Sequence, residues 1–255
     1  REEDRRKAEA ARTDAETVLS KSQAVAKVLR RWSRLRESLD RMEAARYDST
    51  LDSSGRGKLC APLWPAVDAF AKETPHDAAS LATMRALIGW ATWLSGSEEA
   101  GIQLMRQVPQ FDPDVPFGYL TESLVLLSRY VGEVAWPTPT EGDGGARWVC
   151  APEMPNDLLA EMGALIEKAE SARVWGREGA EDFRQVVRAL RAIPAGNFAD
   201  AEEALGCAVS APDLACFRLG LLMARAKVRH YLRKFDEGLE DLAEVRRVRT
   251  KDAAV

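Results

Sequence analysis

The sequence predicts an all-α fold, helical hairpins stacked behind a long N-terminal helix, and three observations predict it. The 255 residues hold 40 Ala, 27 Leu and 6 Met, all strong helix formers, against 18 Val, 4 Ile and 10 Thr, whose branched side chains favour strands. A heptad pattern runs unbroken through the first forty-odd residues. Downstream, apolar residues recur at helical spacing between Gly- and Pro-marked turns. With 30% charged residues, 46% hydrophobic residues and a formal net charge of −4, the composition is that of a globular body, without the basic surplus that binding to nucleic acid requires.

The N-terminal helix is expected over residues 1–47. Ala11, Val18, Val25, Trp32 and Leu39 recur every seven residues, and Ala8, Ala15, Ser22 and Leu29 fill the companion positions. No Gly or Pro interrupts the first 54 residues. After Leu29 the companion series moves to Val28, Leu35 and Met42, which widens the apolar stripe as a helix does on passing from a narrow seam to a globular surface. This stretch carries 13 Lys and Arg against 9 Asp and Glu, so the remainder is strongly acidic and offers the basic helix a surface to pair with. A lone helix of this length is seldom stable without a partner, which a second copy in a homodimer or the chain's own body can supply. Arg1 already stands inside the charged helical pattern, so a piece of a longer protein is expected. No stretch is apolar enough to span a membrane within it.

Residues 48–58, DSTLDSSGRGK, read as a loop. The string GRGKLCAPLWP that ends at Pro65 returns as GARWVCAPEMP ending at Pro155, which marks an internal duplication. Each copy leads into helical periodicity, with proline at the first turn. In the first half GSEEAGIQL (96–104) precedes a Pro-rich turn and a long helix from about Phe117 to Ala135. In the second, GNFADAEEAL (196–205) precedes Pro212 and a helix from about Asp213 to Leu232, with one more helix over Asp236 to Val248. The halves are placed at 48–136 and 137–255, the Pro- and Gly-dense stretch 135–147 joining them.

A shorter period runs through the second half. Phe198 and Phe235 are each followed three residues on by a small residue, Ala201 or Gly238, and seven on by Leu205 or Leu242, with Ala189 or Ala226 nine residues before. This resembles the tetratricopeptide repeat, in which small side chains stand where the two helices of a hairpin cross; Ser97, Ala100 and Leu104 give a poorer third copy. Phe198 and Phe235 lie 37 residues apart where the family repeats every 34, and the usual first-helix tyrosine is missing. The resemblance implies a tetratricopeptide-like array that holds a protein or peptide partner. The charged N-terminal stretch, leading into degenerate helical repeats, is also similar to segments that follow the membrane span of bacterial membrane-bound serine/threonine kinases. That resemblance implies the alternative function: an extracytoplasmic ligand-sensing domain, which favours an extracytoplasmic site over a cytoplasmic one.

No catalytic set emerges. Glycine-rich phosphate loops, HExxH and GxSxG are all missing, so no cofactor is expected. His76 in TPHDAAS reads as an exposed first-turn residue, with Thr74 or Asp77 as the helix cap. The adjacent pairs Glu98 and Glu99, and Glu202 and Glu203, read as solvated. Two histidines and four scattered cysteines leave no metal-ligand spacing. Cys207 and Cys216 flank Pro212 and can come within disulfide reach, a loop closure worth roughly 2–3 kcal/mol; Cys60 and Cys150, and with them the other two, can equally stay free thiols. Trp90 and Trp93 read as core, and Trp148 as the most exposed tryptophan. What remains is a non-catalytic scaffold or adaptor module. Its curved face would present Lys227 and His230, on the first helix of the last hairpin, to a peptide carboxylate.

Overall fold

The computed structural model describes residues 2–46, 51–133, 156–174, 180–193, 195–211, 214 and 217–251, and among these every regular element is helical. The N-terminal segment is two helices, α1 (Glu2–Trp32) and α2 (Arg36–Arg46), joined by a 3-10 turn at Ser33–Leu35 where the apolar stripe changes register. Over residues 2–17 α1 is exposed throughout, carried by the (i, i+4) ion pairs Arg6–Glu2, Lys7–Glu3 and Arg12–Glu16. From Ser22 onward it enters the core: Val25, Val28, Trp32, Leu39 and Met42 are fully buried.

A helix, α3 (Ser53–Cys60), stands where composition predicted a loop. Asp52 caps it, its side chain accepting the Gly55 N–H at 2.6 Å. α4 (Trp64–Glu73) follows with Pro65 in its first turn, and its Phe70 meets the Trp32 ring edge-on at 5.0 Å. Of the two CAP strings the first lies at the junction of α3 and α4; the second falls outside the described residues.

Among the described residues four helix pairs follow: α5 (Ala78–Leu94) with α6 (Glu98–Arg106), α8 (Phe117–Glu133) with α9 (Asn156–Ser171), α10 (Ala180–Ala192) with α11 (Phe198–Ser210), and α12 (Arg218–Tyr231) with α13 (Phe235–Lys251). The one-turn α7 (Val108–Phe111) lies between the first two pairs. Three of the hairpins turn in the same way. Gly96, Gly196 and Arg233 have φ of 96°, 72° and 60°. Each donates its N–H three residues back, to Trp93, Ile193 and His230, while the next residue donates five back, to Thr92, Ala192 and Arg229. This is the Schellman closure, and it calls for a left-handed residue.

The shared turn fixes the repeat register. Counted from its left-handed residue, each hairpin buries small residues in equivalent places: Gly89 and Gly101, Ala189 and Ala201, Ala226 and Gly238. The third copy is therefore Glu98, Gly101 and Met105, one residue beyond the Ser97, Ala100 and Leu104 that the sequence suggested; Gly101 and Met105 are buried and Ala100 is exposed. The helices approach more closely in the first hairpin than in the last: a Cβ on Gly101 would lie 2.7 Å from both the Gly89 carbonyl oxygen and the Trp93 nitrogen, and one on Gly238 3.4 Å from the Ala226 carbonyl oxygen. Gly101→Val is accordingly expected to cost about 2–3 kcal/mol. Gly163→Ala, in α9 with nothing within 4 Å of the new methyl, should instead stabilise by about 0.5–1 kcal/mol. Urea unfolding of the two variants checks the contrast, and equal effects would remove the close-crossing account.

One apolar cluster runs from Val25 to Val245 across the boundary expected between the two halves. The chain curls until its outer hairpins touch: Trp90 of α5 meets Phe217, at the start of α12, edge-on at 5.1 Å. Helix α2 lies across this junction, packed on α5, α12 and α13.

Candidate functional site

Helix α12 carries two chemically distinct stripes. On one, Arg225 and Arg229 are spaced to share a single acceptor, the buried carboxylate of Asp241 on α13. Arg225 reaches it through two donors, at 2.6 and 3.0 Å, and Arg229 at 3.0 Å. Arg229 also holds Glu202 of α11 at 3.1 Å, and Lys234 closes on the other oxygen of Glu202 at 2.5 Å. Burial works to raise the Glu202 pKa, but Lys234 and Arg229 outweigh it and hold the group below the usual carboxylate range. Glu202 is thus an ion-pair centre, not the solvated residue that its adjacency to Glu203 suggested; only Glu203, paired with Arg188, is widely exposed. Glu98 is likewise engaged, with Arg46 at 2.6 Å. The network pins α11, α12 and α13 together.

The other stripe runs Gly220, Met223, Lys227, His230. Met223 packs against the core, and Lys227 and His230 are half-buried. Burial pushes the Lys227 ammonium down to about 8. His230 stands edge-on to Tyr231 at 6.0 Å and to Phe235 at 5.5 Å, and Tyr231 stacks on Phe198 at 4.5 Å with the rings 7° from parallel. The two aromatics that carried the repeat signal therefore meet through α12, whose last turn they bracket. Sequence reasoning placed Lys227 and His230 together, and the structure brings them onto one stripe. Helix α2 packs on α5, α12 and α13 beside this helix, and Trp90 meets Phe217 at its start.

At the opposite end of α12 stands a group that sequence reasoning missed. Glu43 of α2 is fully buried and accepts the N–H groups of Gly220 at 2.8 Å and Leu219 at 3.3 Å, in the first turn of α12. It fills the anion-binding position of that helix from another part of the chain. Burial pushes its pKa up to about 8; the nearby Asp40 charge adds to the shift, and the two N–H donors oppose it. The sequence held one faint signal: an acid beside Met42 on a helix whose apolar stripe had just widened.

The other candidate residues are dispersed. His76 is exposed just before α5, and Asp77 is the cap, accepting the Ser80 N–H at 2.9 Å. Cys60 is buried, and burial outweighs Arg56 in raising its thiol. Cys207 is exposed on α11, while Cys150, Cys216 and Trp148 lie outside the described residues, and with Cys216 the pairing of Cys207. Among the described residues no group of three or more His, Cys, Asp or Glu is placed to hold a metal ion, and no helix is long and apolar enough to cross a membrane. No family model matches the chain, and no curated protein or solved structure matches it either.

Proposed function

We propose that this chain is a non-catalytic, tetratricopeptide-like scaffold that holds an acidic peptide segment of a partner protein against Lys227 and His230. The observation that carries this reading is the repeated hairpin: three copies with the same left-handed turn and buried small residues at the same places, a unit that stacks into extended binding surfaces. On the last of them a cation and an imidazole share a half-buried stripe beside an aromatic cluster, which suits a carboxylate on an extended or helical peptide.

The proposal predicts a pH dependence. With its pKa at about 8, Lys227 carries its charge at pH 7 and has lost most of it by pH 9. Fluorescence anisotropy with labelled peptides ending in two acidic residues should show affinity falling across that range. Lys227→Arg should hold affinity at pH 9, because a guanidinium does not titrate there. Replacing Lys227 and His230 together by Ala should weaken binding about tenfold or more at pH 7. Affinity unchanged in the double variant would dispose of this site.

A further inference from the structure

Helix α13 presents a face that nothing among the described residues covers. Gly238, Asp241 and Val245 are buried, while Phe235, Asp236, Leu239, Glu240, Ala243, Arg246 and Arg247 form an exposed stripe along the other side. Leu239 is 63% exposed and Phe235 48%. A leucine left so open, one turn from an open phenylalanine, loses the burial that apolar side chains ordinarily gain.

The charges on this helix are sorted along its length. Asp236, Glu237, Glu240 and the buried Asp241 stand in the first half and Glu244 just past the middle; Arg246 and Arg247 follow, and the sequence continues to Arg249 and Lys251. The helix dipole favours that order within one molecule, but it does not ask for a leucine at 239. A helix acidic at one end and basic at the other complements an antiparallel copy of itself. With a two-fold axis passing between Ala243 and Glu244, Glu240 of each copy comes beside Arg247 of the other, twice per pair. The small side chain of Ala243 at the axis allows close approach, and Leu239 comes into the seam. In the single molecule Arg247 pairs with Glu244 of its own helix at 2.7 Å and stays widely exposed, so a second carboxylate can approach it from outside. The N-terminal helix lacks such a register: in a parallel pair its heptad sets Lys7 beside Arg12 of the other copy.

We propose that the outer face of α13 is a homodimer interface, formed by two-fold antiparallel pairing with α13 of a second copy. One helix pair buries little area, so association in the range of about 10–100 µM is expected. Sedimentation equilibrium of the whole chain over that range measures it. Leu239→Arg, which sets a cation against the basic half of the second copy, should weaken the dimer about thirtyfold or more, and Glu240→Arg about tenfold. Glu240→Arg combined with Arg247→Glu should restore it, since the cross-copy pairs return with signs exchanged. Circular dichroism confirms that each variant is folded, which the exposure of all three positions favours. A wild-type chain still monomeric at about 1 mM overturns the proposal. So does a dimer that the doubly reversed variant fails to restore, or one that is dispersed by Ala11→Glu with Ala15→Glu on α1 and untouched by Leu239→Arg.

Discussion

Trp90→Ala is expected to lower the stability of the chain by about 3–5 kcal/mol, a loss on the order of 10 °C in melting temperature for a protein of this length. Trp90 is 1% exposed. Its ring stacks on Trp93 at 5.2 Å, one turn along α5, and meets Phe217 edge-on at 5.1 Å. The side chain thus carries two loads: it fills the core of the first hairpin, and it is the contact through which the first hairpin touches the last. Truncation leaves a cavity between hairpins that are far apart in sequence, and the α2 helix lying across them limits how far they can collapse into it. Trp90→Phe separates the ring from its polar atom. The Trp90 Nε1 is buried and finds no acceptor among the described residues, so phenylalanine removes an unsatisfied donor along with some area and should cost markedly less than alanine. A double-mutant cycle with Phe217→Leu measures the joining contact itself, expected at about 0.5–1.5 kcal/mol. Strictly additive losses in urea unfolding would mean that the outer hairpins do not meet through these rings.

That contact shows what sequence reasoning could and could not reach. Patterns that act within one helix were legible. The heptad residues Val25, Trp32 and Leu39 are buried where the pattern placed them, and Trp90 and Trp93 are core. The small residues of the last two hairpins, Ala189 with Ala201 and Ala226 with Gly238, sit at equivalent places, because a close crossing limits side-chain size whatever surrounds it. Patterns that depend on a turn were legible only approximately. In the first hairpin the aromatic that marked the other two copies is replaced by Glu98, and the copy was placed one residue early; the positive φ at Gly96 sets the true register. Helix α3 was missed because its cap, Asp52, resembles the loop residues around it. Of the site, Lys227 and His230 could be paired by helical spacing. The closure of the array on itself could not be seen, since it rests on an aromatic contact between distant segments and on a carboxylate, Glu43, whose burial depends on a helix 170-odd residues further along.

Glu43 gives the sharpest test of that closure, because its effect is written in pH. An exposed glutamate in the unfolded chain titrates near 4.3; in the fold, burial pushes Glu43 up to about 8. Between these values the folded chain holds a proton that the unfolded chain has released, so stability is fully present below about 4.3 and declines as pH rises through about 8. The whole window is worth on the order of 3–5 kcal/mol, most of it spent between pH 5 and 8. Above 8 the Lys227 ammonium works the other way: its folded pKa lies below its unfolded one, so its contribution grows with pH, and the scan belongs below that point. Glu43→Gln keeps the shape and one carbonyl acceptor for the Gly220 N–H but never ionises. Its amide brings a donor against the Leu219 N–H, at a cost of about 1–3 kcal/mol that does not vary with pH. The variant should therefore be the less stable protein at pH 5 and match or surpass the wild type near pH 8, its urea midpoints nearly flat in between. Wild-type midpoints that decline no more steeply than those of Glu43→Gln would show that the carboxyl is not enclosed between α2 and α12, and the N-terminal helix would then lose its polar tie to the last hairpin.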